Sequence, residues 1–133
     1  MSLSKTLTAL SGEYLVAAHL CMQGIVASLT LKNYPGVDIF AFNPATEKNS
    51  TIQVKTTRVS RSQGYWIANP KEIKSKGTPF VFVYLGKKSS PEFYVIGASE
   101  LAGLIKPEGS RYWYVPIRDL EKYKDQWDRL GLT

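Results

Sequence analysis

Residues 36–58 constrain the fold more than any other part of the chain, because they predict two neighbouring β-strands with polar side chains among apolar ones. Residues 37–42 are rich in β-branched and aromatic side chains, a polar turn follows, and the strand pattern then resumes. Asp38 opens the first strand, and Gln53 and Lys55 lie two apart on the second, so both face one side of the sheet. A carboxylate, a carboxamide and an ammonium are costly to bury together unless they pair or hold an ion. The stretch therefore predicts a polar site built into a sheet.

The remaining sequence predicts an α/β fold with a mixed central β-sheet flanked by helices, in a single domain spanning residues 1–133. Residues 79–85 form an almost continuous apolar run, which is typical of a strand buried on both faces. Residues 107–110 are expected to form a loop. The other predicted strands are residues 25–32, 51–57, 92–97 and 112–117, and the predicted helices are residues 4–23, 71–76, a short one from residue 99, and 119–130.

The first predicted helix carries apolar residues at steps of three and four, which is typical of a helix with one buried face; these are Leu3, Leu7, Leu10, Tyr14, Ala18 and Cys21. Gly12 lies in its middle, and the absence of a Cβ there would let another part of the backbone come close. Glu13 and His19 are the ionisable residues of the same region. Because His19 is the only histidine of the chain, we expect it to be a structural or surface residue rather than a ligand.

Composition limits the class of protein. The single cysteine, Cys21, excludes an internal disulfide framework and fits a reducing compartment. The sequence shows no signal-peptide pattern, and no apolar stretch approaches the roughly 20 residues of a membrane span. No glycine-rich phosphate loop is present, which argues against an ATPase. We therefore expect a soluble, cytoplasmic protein.

The net charge of +6 is concentrated in residues 48–91. That segment has one acidic residue, Glu72, and nine basic ones: Lys48, Lys55, Arg58, Arg61, Lys71, Lys74, Lys76, Lys87 and Lys88. Such a concentration is what a face that binds a polyanion needs. A solvated, lysine-rich surface is the alternative interpretation.

The polar residues of the first helix and the two strands suit one kind of chemistry. Mg²⁺ prefers oxygen ligands and keeps several waters. Asp38 and the carboxamide oxygen of Gln53 would supply two ligands, the backbone carbonyl of Val54 a third, and Glu13 would act directly or through a water. Lys55 would orient an attacking water and stabilise charge on the phosphate oxygens. Together they predict hydrolysis of a phosphodiester assisted by Mg²⁺ or Mn²⁺.

Glu13 on the first helix, Asp38 at the start of a strand, and the run from Gln53 to Lys55 on the next strand occur in an order that resembles the PD-(D/E)XK nuclease superfamily. The resemblance covers roughly the first 85 residues. It implies a restriction-endonuclease-like fold, metal ligation by Asp38 and Gln53, an auxiliary role for Glu13, a catalytic Lys55, and DNA as the substrate.

Two departures from the family pattern leave alternatives open. Pro35 is separated from Asp38 by two residues, and Gln53 stands where most members carry Asp or Glu. A neutral carboxamide binds Mg²⁺ more weakly, although some branches of the superfamily carry Gln there and remain nucleases. The alternatives are a catalytically inactive nucleic-acid-binding module on the same fold, and a protein-interaction domain with a basic surface. Taken alone, Asp38 and Lys55 are also compatible with a cross-strand ion pair.

Basic and hydroxyl residues after Lys55 suit contacts with a phosphate backbone, which position nucleic acid without reading its sequence. We expect these contacts from Thr57, Arg58, Arg61, Lys71, Lys74 and Lys76. The expected partner is double-stranded DNA. Because one small site per chain would have to cut two strands, a two-fold homodimer is a further hypothesis.

We assign different roles to the aromatic residues of two predicted strands. Tyr65 and Trp66 are candidates for stacking on bases, although aromatic residues in a short strand are usually part of the core. Residues 112–114 alternate along a predicted strand and are interpreted as structural.

Overall fold

The computed structural model describes residues 4–31, 35–58, 64–86, 90–109 and 112–133. The chain begins with a helix followed by successive strands, as the sequence predicts. In chain order they are α1 (Lys5–Met22), β1 (Val26–Leu29), β2 (Ile39–Asn43), β3 (Lys48–Thr57), β4 (Gly64–Ile67), α2 (Pro70–Lys76), β5 (Phe80–Tyr84), β6 (Glu92–Ile96), α3 (Ala98–Ala102), β7 (Lys106–Glu108), β8 (Tyr112–Pro116), and two 3₁₀ helices, Ile117–Tyr123 and Trp127–Leu130.

The described strands form two sheets. The central sheet has five strands in the order β1-β2-β3-β5-β6; β3 and β5 run parallel, and its other neighbours pair antiparallel. A smaller antiparallel sheet has the order β4-β8-β7. The mixed central sheet with helices packed on it confirms the predicted α/β fold class.

Helix α1 packs on one face of the central sheet through Gly12, Val16 and Leu20, which are buried at steps of four. The closest approach is at Gly12, where a methyl group would overlap the side chain of Thr56 on β3. The helix is thus held against β3 at a distance that only glycine permits. The cluster beneath it includes Ile52 of β3 and further apolar residues of β2, β5 and β6.

The prediction of which face of α1 is buried was wrong, because the apolar residues expected in the core lie on the exposed face of the helix. Leu7 is 53% exposed and Tyr14 is 58% exposed, and Leu10, Ala18 and Cys21 are exposed as well. Since α1 is apolar around most of its circumference, periodicity alone could not choose a face. The close contact at Gly12 decides which face is buried.

The opposite face of the central sheet is covered by α2, α3 and the small sheet. Phe80, Phe82 and Tyr84 of β5 point into this second cluster, and Val81 and Val83 point into the first. Every residue of β5 is buried, which confirms the prediction of a strand covered on both faces.

Three boundaries differ from the sequence-based expectation. The predicted helix at 119–130 is replaced by two 3₁₀ helices, because the Asp125 N–H is donated to the carbonyl of Phe93 on β6 (2.9 Å) and ties the chain to the sheet between them. Residues 106–108, expected to lie partly in a loop, form β7 against β8. Strand β1 ends at Leu29 rather than at residue 32, which lies outside the described residues.

No helix in the described ranges combines the length and the apolar character that crossing a membrane requires.

Candidate active site

Asp38 lies where strands β2 and β3 separate. Its backbone N–H is donated to the carbonyl of Ile52 (2.9 Å), and the last residue pair of the two strands is Ile39 with Ile52. Two residues beyond that pair, the N–H of Val54 is donated to Oδ2 of Asp38 (2.8 Å). The carboxylate therefore accepts a hydrogen bond at a position where the β2 backbone is no longer in register, and its orientation is fixed by the sheet.

Val54 adds a second oxygen to the same edge. In an antiparallel pair the N–H and C=O of one residue point to the same side of the strand. Since the N–H of Val54 points to Asp38, its carbonyl is directed toward that edge as well. The side chain of Val54 is buried beneath α1, which holds the backbone in place.

Glu13 brings a second carboxyl group to Asp38 from helix α1. It is half-buried and directly follows Gly12, the residue in closest contact with β3. Burial raises the pKa of Glu13, and the neighbouring carboxylate of Asp38 raises that pKa further. A carboxyl group whose ionisation is disfavoured by a neighbouring carboxylate marks a place where a cation would be stabilised.

Gln53 and Lys55 flank Val54 on the other side of the strand. They pair in parallel register with Phe80 and Phe82, whose side chains point to the face opposite α1. The prediction that Gln53 and Lys55 share a face is therefore confirmed by this register. Both side chains are half-buried, so neither extends freely into solvent.

The ion-pair interpretation of Asp38 and Lys55 is wrong. Both residues are described, and no N–O distance of 4.0 Å or less joins them among the ion pairs of the described chain. Asp38 instead binds the backbone of Val54. The ammonium group of Lys55 is thus not neutralised by the carboxylate beside it.

A basic helix borders the site. The three lysines of α2 are exposed: Lys71, Lys74 and Lys76. The ammonium of Lys76 pairs with Glu72 (3.0 Å) and lies 3.7 Å from the position that a Cβ would take at Gly36, two residues before Asp38. Sequence separation gives no sign of this proximity, which arises because α2 leads directly into β5 beside β3.

The other predicted contacts with phosphate lie at the end of β3. Thr57 is the half-buried last residue of the strand, and Arg58 is exposed immediately after it. Arg61 lies outside the described residues.

The aromatic residues are not distributed as the sequence predicts. Tyr65 is buried and donates its hydroxyl to the carbonyl of Val83 (2.9 Å), so it belongs to the core, whereas Trp66 is exposed. Tyr112, interpreted from the sequence as structural, is also exposed. The alternation of β8 could have identified it, because Tyr112 and Tyr114 share a face and Tyr114 pairs with Trp66.

The donor atoms of the site suit a hard cation. Within the described ranges there is no group of three or more His, Cys, Asp or Glu residues that could hold a metal. The structure brings Asp38 together with the Val54 backbone and with Glu13, whereas no hydrogen bond between described residues joins the Gln53 side chain to either carboxyl group. The candidate ligands, as predicted, are the carboxyl groups of Glu13 and Asp38, the carboxamide of Gln53 and the carbonyl of Val54. An all-oxygen set of this kind fits Mg²⁺ or Mn²⁺ and does not fit Zn²⁺, which favours nitrogen and sulfur ligands.

The helix packed on a mixed five-strand sheet gives the chain a restriction-endonuclease-like fold. This is the fold that the sequence resemblance to the PD-(D/E)XK nucleases implies, and the expected fold is confirmed. By sequence, no protein-family model and no curated protein matches the chain.

Solved structures similar to this chain include two nucleases. Hjc, a Holliday junction resolvase from Archaeoglobus fulgidus, has a TM-score of 0.50 and 11% identity, and the match covers 85% of this chain and 92% of Hjc. The bacterial homing endonuclease I-Ssp6803I has a TM-score of 0.59 and 13% identity, and the match covers 94% of this chain and 91% of that enzyme. Identities this low establish a shared fold.

Proposed function

We propose that this chain is a metal-dependent endonuclease that hydrolyses phosphodiester bonds of double-stranded DNA. The observation that carries the proposal is the hydrogen bond from the Val54 N–H to Asp38 Oδ2 (2.8 Å), which fixes an acid beside the Gln53–Lys55 strand segment. The fold shared with two DNA nucleases supports it, since Hjc is a Holliday junction resolvase and I-Ssp6803I is a homing endonuclease.

Four residues would hold Mg²⁺, with Mn²⁺ as a substitute. Asp38 contributes its carboxylate, Val54 its carbonyl, Gln53 its carboxamide oxygen, and Glu13 its carboxylate directly or through a water. A divalent cation bound there supplies charge stabilisation to the phosphate and a water nucleophile at neutral pH. The raised pKa of Glu13 supports this assignment, because a nearby cation would remove the repulsion that causes part of the shift.

Lys55 would act as the catalytic cation. It is half-buried and not paired with Asp38, so its charge is available to a phosphate oxygen or to the attacking water. Its neighbour Phe82 on β5 limits the directions in which the side chain can turn. The chain thus keeps a positive group next to the bond that breaks.

The DNA backbone would be held by the basic helix and by the end of β3. Lys76 lies beside the turn that leads to Asp38, and the remaining contacts are assigned to Lys71, Lys74, Thr57, Arg58 and Arg61. Such contacts position a duplex over the site without selecting a sequence.

Nicking of supercoiled plasmid tests the proposal. Purified protein with Mg²⁺ or Mn²⁺ should convert supercoiled to open-circular DNA, and EDTA should stop the reaction. Lys55→Ala and Asp38→Asn should each lower the rate by at least about 100-fold. Asp38→Asn is chosen because an amide oxygen still accepts the Val54 N–H while the charge is lost.

Matched controls are available within the same fold. Lys48→Ala removes an exposed lysine from the same strand, and Asp128→Asn removes an exposed carboxylate from the second 3₁₀ helix, which the proposed site and the DNA contacts do not use. Both controls should nick at the wild-type rate. Nicking that persists in Lys55→Ala and Asp38→Asn would show that a contaminant cuts the DNA.

A catalytically inactive nucleic-acid-binding module is the second candidate function, and the neutral side chain of Gln53 favours it. The two are separated by Gln53→Glu, which adds a negative ligand. If the chain is an enzyme with a weak metal site, this variant should nick at roughly ten-fold lower Mg²⁺ concentration. If no preparation cuts but binding to DNA weakens steeply with salt, the binding module is the correct function.

Cutting both strands of a duplex would require two sites, so we further propose a two-fold homodimer. Light scattering coupled to gel filtration, with and without duplex DNA, gives the mass directly. A single copy on a duplex that is cut on both strands would contradict this assembly.

A further inference from the structure

One face of the small sheet carries three aromatic side chains that the site does not use. Trp66 of β4 pairs in register with Tyr114 of β8, and Tyr112 lies two residues before Tyr114 on the same strand. All three therefore point to one face. The opposite face carries Tyr65 and Val115, which are buried in the second cluster. We call Trp66, Tyr112 and Tyr114 the aromatic platform.

The platform is open to solvent. Trp66 is 61% exposed and Tyr112 is 62% exposed, values that are high for such large rings. The Trp66 ring lies 5.5 Å from Tyr112 at an interplanar angle of 63°, and 6.3 Å from Tyr114 at 54°. The rings meet at steep angles rather than stacking on one another, and Trp66 and Tyr112 keep more than half of their surface open to a flat ligand.

Positive charge lies beside the platform. Lys106 of β7 pairs in register with Tyr114, and its ammonium lies 3.2 Å from Asp119. Arg118, whose side chain is 76% exposed, approaches the same carboxylate at 3.7 Å. Two cations thus share one acid, so the trio of Lys106, Arg118 and Asp119 carries a net positive charge.

The described side chains that β4, β7 and β8 direct to this face are the three rings, Lys106 and the buried Pro116, and the Asp119 carboxylate lies beside Lys106. The exposed face of α1 is different, since it presents Leu7 and Leu10 together with Tyr14. Rings flanked by cations match bases flanked by phosphates. Stacking on aromatic rings tolerates any base, because every base has a π face.

We propose that the aromatic platform binds unpaired bases of a single-stranded DNA segment, and that Lys106 and Arg118 contact its phosphates. The proposal rests on the proposed function only in taking DNA as the ligand. It adds a substrate preference, because DNA with unpaired bases near the cut would bind better than a fully paired duplex.

Fluorescence anisotropy with a labelled oligothymidylate and a labelled duplex of equal length tests the platform. All titrations are done in EDTA, so the result does not depend on whether the chain cuts DNA. Trp66→Ala and Tyr112→Ala should each weaken binding of the single strand by about five-fold or more. Binding of the duplex should change by less than about two-fold.

Tyr14→Ala is the matched control, because Tyr14 is 58% exposed on α1 and lies outside the platform. It should leave both affinities unchanged. Trp66→Phe keeps a ring and should retain most of the affinity. Circular dichroism checks that each variant is folded; if Trp66→Ala is not, Tyr112→Ala alone decides the result.

Four outcomes would overturn the proposal. They are a wild-type chain that does not bind the oligothymidylate, platform variants that bind it unchanged, an equal loss for single strand and duplex, and a loss of self-association in Trp66→Ala that identifies a second copy as the occupant. Failure of the plasmid nicking assay would instead overturn the catalytic function and leave the platform result standing.

Discussion

Asp38 is the residue on which the site depends, and the sequence identified it for a physical reason. Side chains alternate along a strand, so the sequence alone predicts that Gln53 and Lys55 share a face, and the register with β5 confirms this prediction. The hydrogen bond from the Val54 N–H to the Asp38 carboxylate could not be predicted from the sequence, because it depends on where the pairing of β2 with β3 ends. The position of Lys76 was not readable either, since it requires the packing of α2.

Glu13 gives a prediction about pH. Its pKa is raised in the folded protein by burial and by Asp38, so the folded state holds the proton at pH values where the unfolded state has lost it. The protonated form of Glu13 is therefore the one that the folded state favours. Its contribution to the free energy of unfolding is fully present at low pH and is lost as pH rises through the raised pKa. Glu13→Gln in metal-free protein should raise the free energy of unfolding at pH 7 by about 0.5 kcal/mol, after allowance for solvent screening.

Urea unfolding in EDTA at pH 7 and at a pH below the unfolded pKa of about 4.3 measures this effect. The gain should vanish at the lower pH, where both states are protonated. Glu121→Gln, which removes an exposed carboxylate of the first 3₁₀ helix, serves as the control and should change neither value. A Glu13→Gln protein that is less stable at pH 7 would contradict the assigned repulsion.

At the scale of elements, the packing of α1 on β3 positions Glu13. The sequence predicted the helix and marked Gly12 as a place of close approach, but it placed the buried face on Leu7, Leu10 and Tyr14. An apolar pattern around most of the helix gave no unique face. The small sheet was likewise not predicted as a separate unit, because β7 has only three residues and its pairing with β8 is not local.

Gly12→Ala should destabilise the protein by about 1–3 kcal/mol, because the added methyl group overlaps Thr56 and either the helix or the strand must move. Adding Thr56→Ala should recover part of that loss. The recovery carries little cost, since the hydroxyl of Thr56 is buried without a hydrogen-bond partner in the described part of the protein.

Thermal and urea unfolding measure both variants. Gly103→Ala is the control, because Gly103 has a negative φ of −72° and a Cβ there would meet only ordinary contacts at 3.5 Å. It should be neutral or stabilising by about 0.4–1 kcal/mol. A Gly12→Ala protein as stable as wild type would show that α1 does not pack as closely as described.

At the scale of the whole molecule, the charge distribution and the fold point to the same surface. The basic segment could be predicted from composition. Helix α2 exposes three of its lysines, and one of them, Lys76, lies beside the turn that leads to Asp38. Which of those lysines approach the face proposed to bind DNA could not be predicted from the sequence, because that depends on where α2 packs in the folded chain. The fold class was readable because the order of elements matched one topology.

The salt dependence of duplex binding tests that surface. Each lysine that contacts a phosphate contributes to the slope of log affinity against log salt concentration, so Lys71→Ala and Lys74→Ala should each reduce the slope by about 0.9. Lys5→Ala removes an exposed lysine from the start of α1 and should leave the slope unchanged. Equal slopes for all variants would place the DNA elsewhere on the molecule.

Crystals of the wild-type chain soaked in Mn²⁺ provide the most direct measurement, with anomalous scattering to locate the ion. One peak should appear at coordination distance from the carboxylate of Asp38 and the carbonyl of Val54, with Glu13 and Gln53 turned toward it, and Asp38→Asn crystals should lack it. Saturating Mn²⁺ that leaves this edge of β3 without a peak, or that binds only at other carboxylates, would contradict the account.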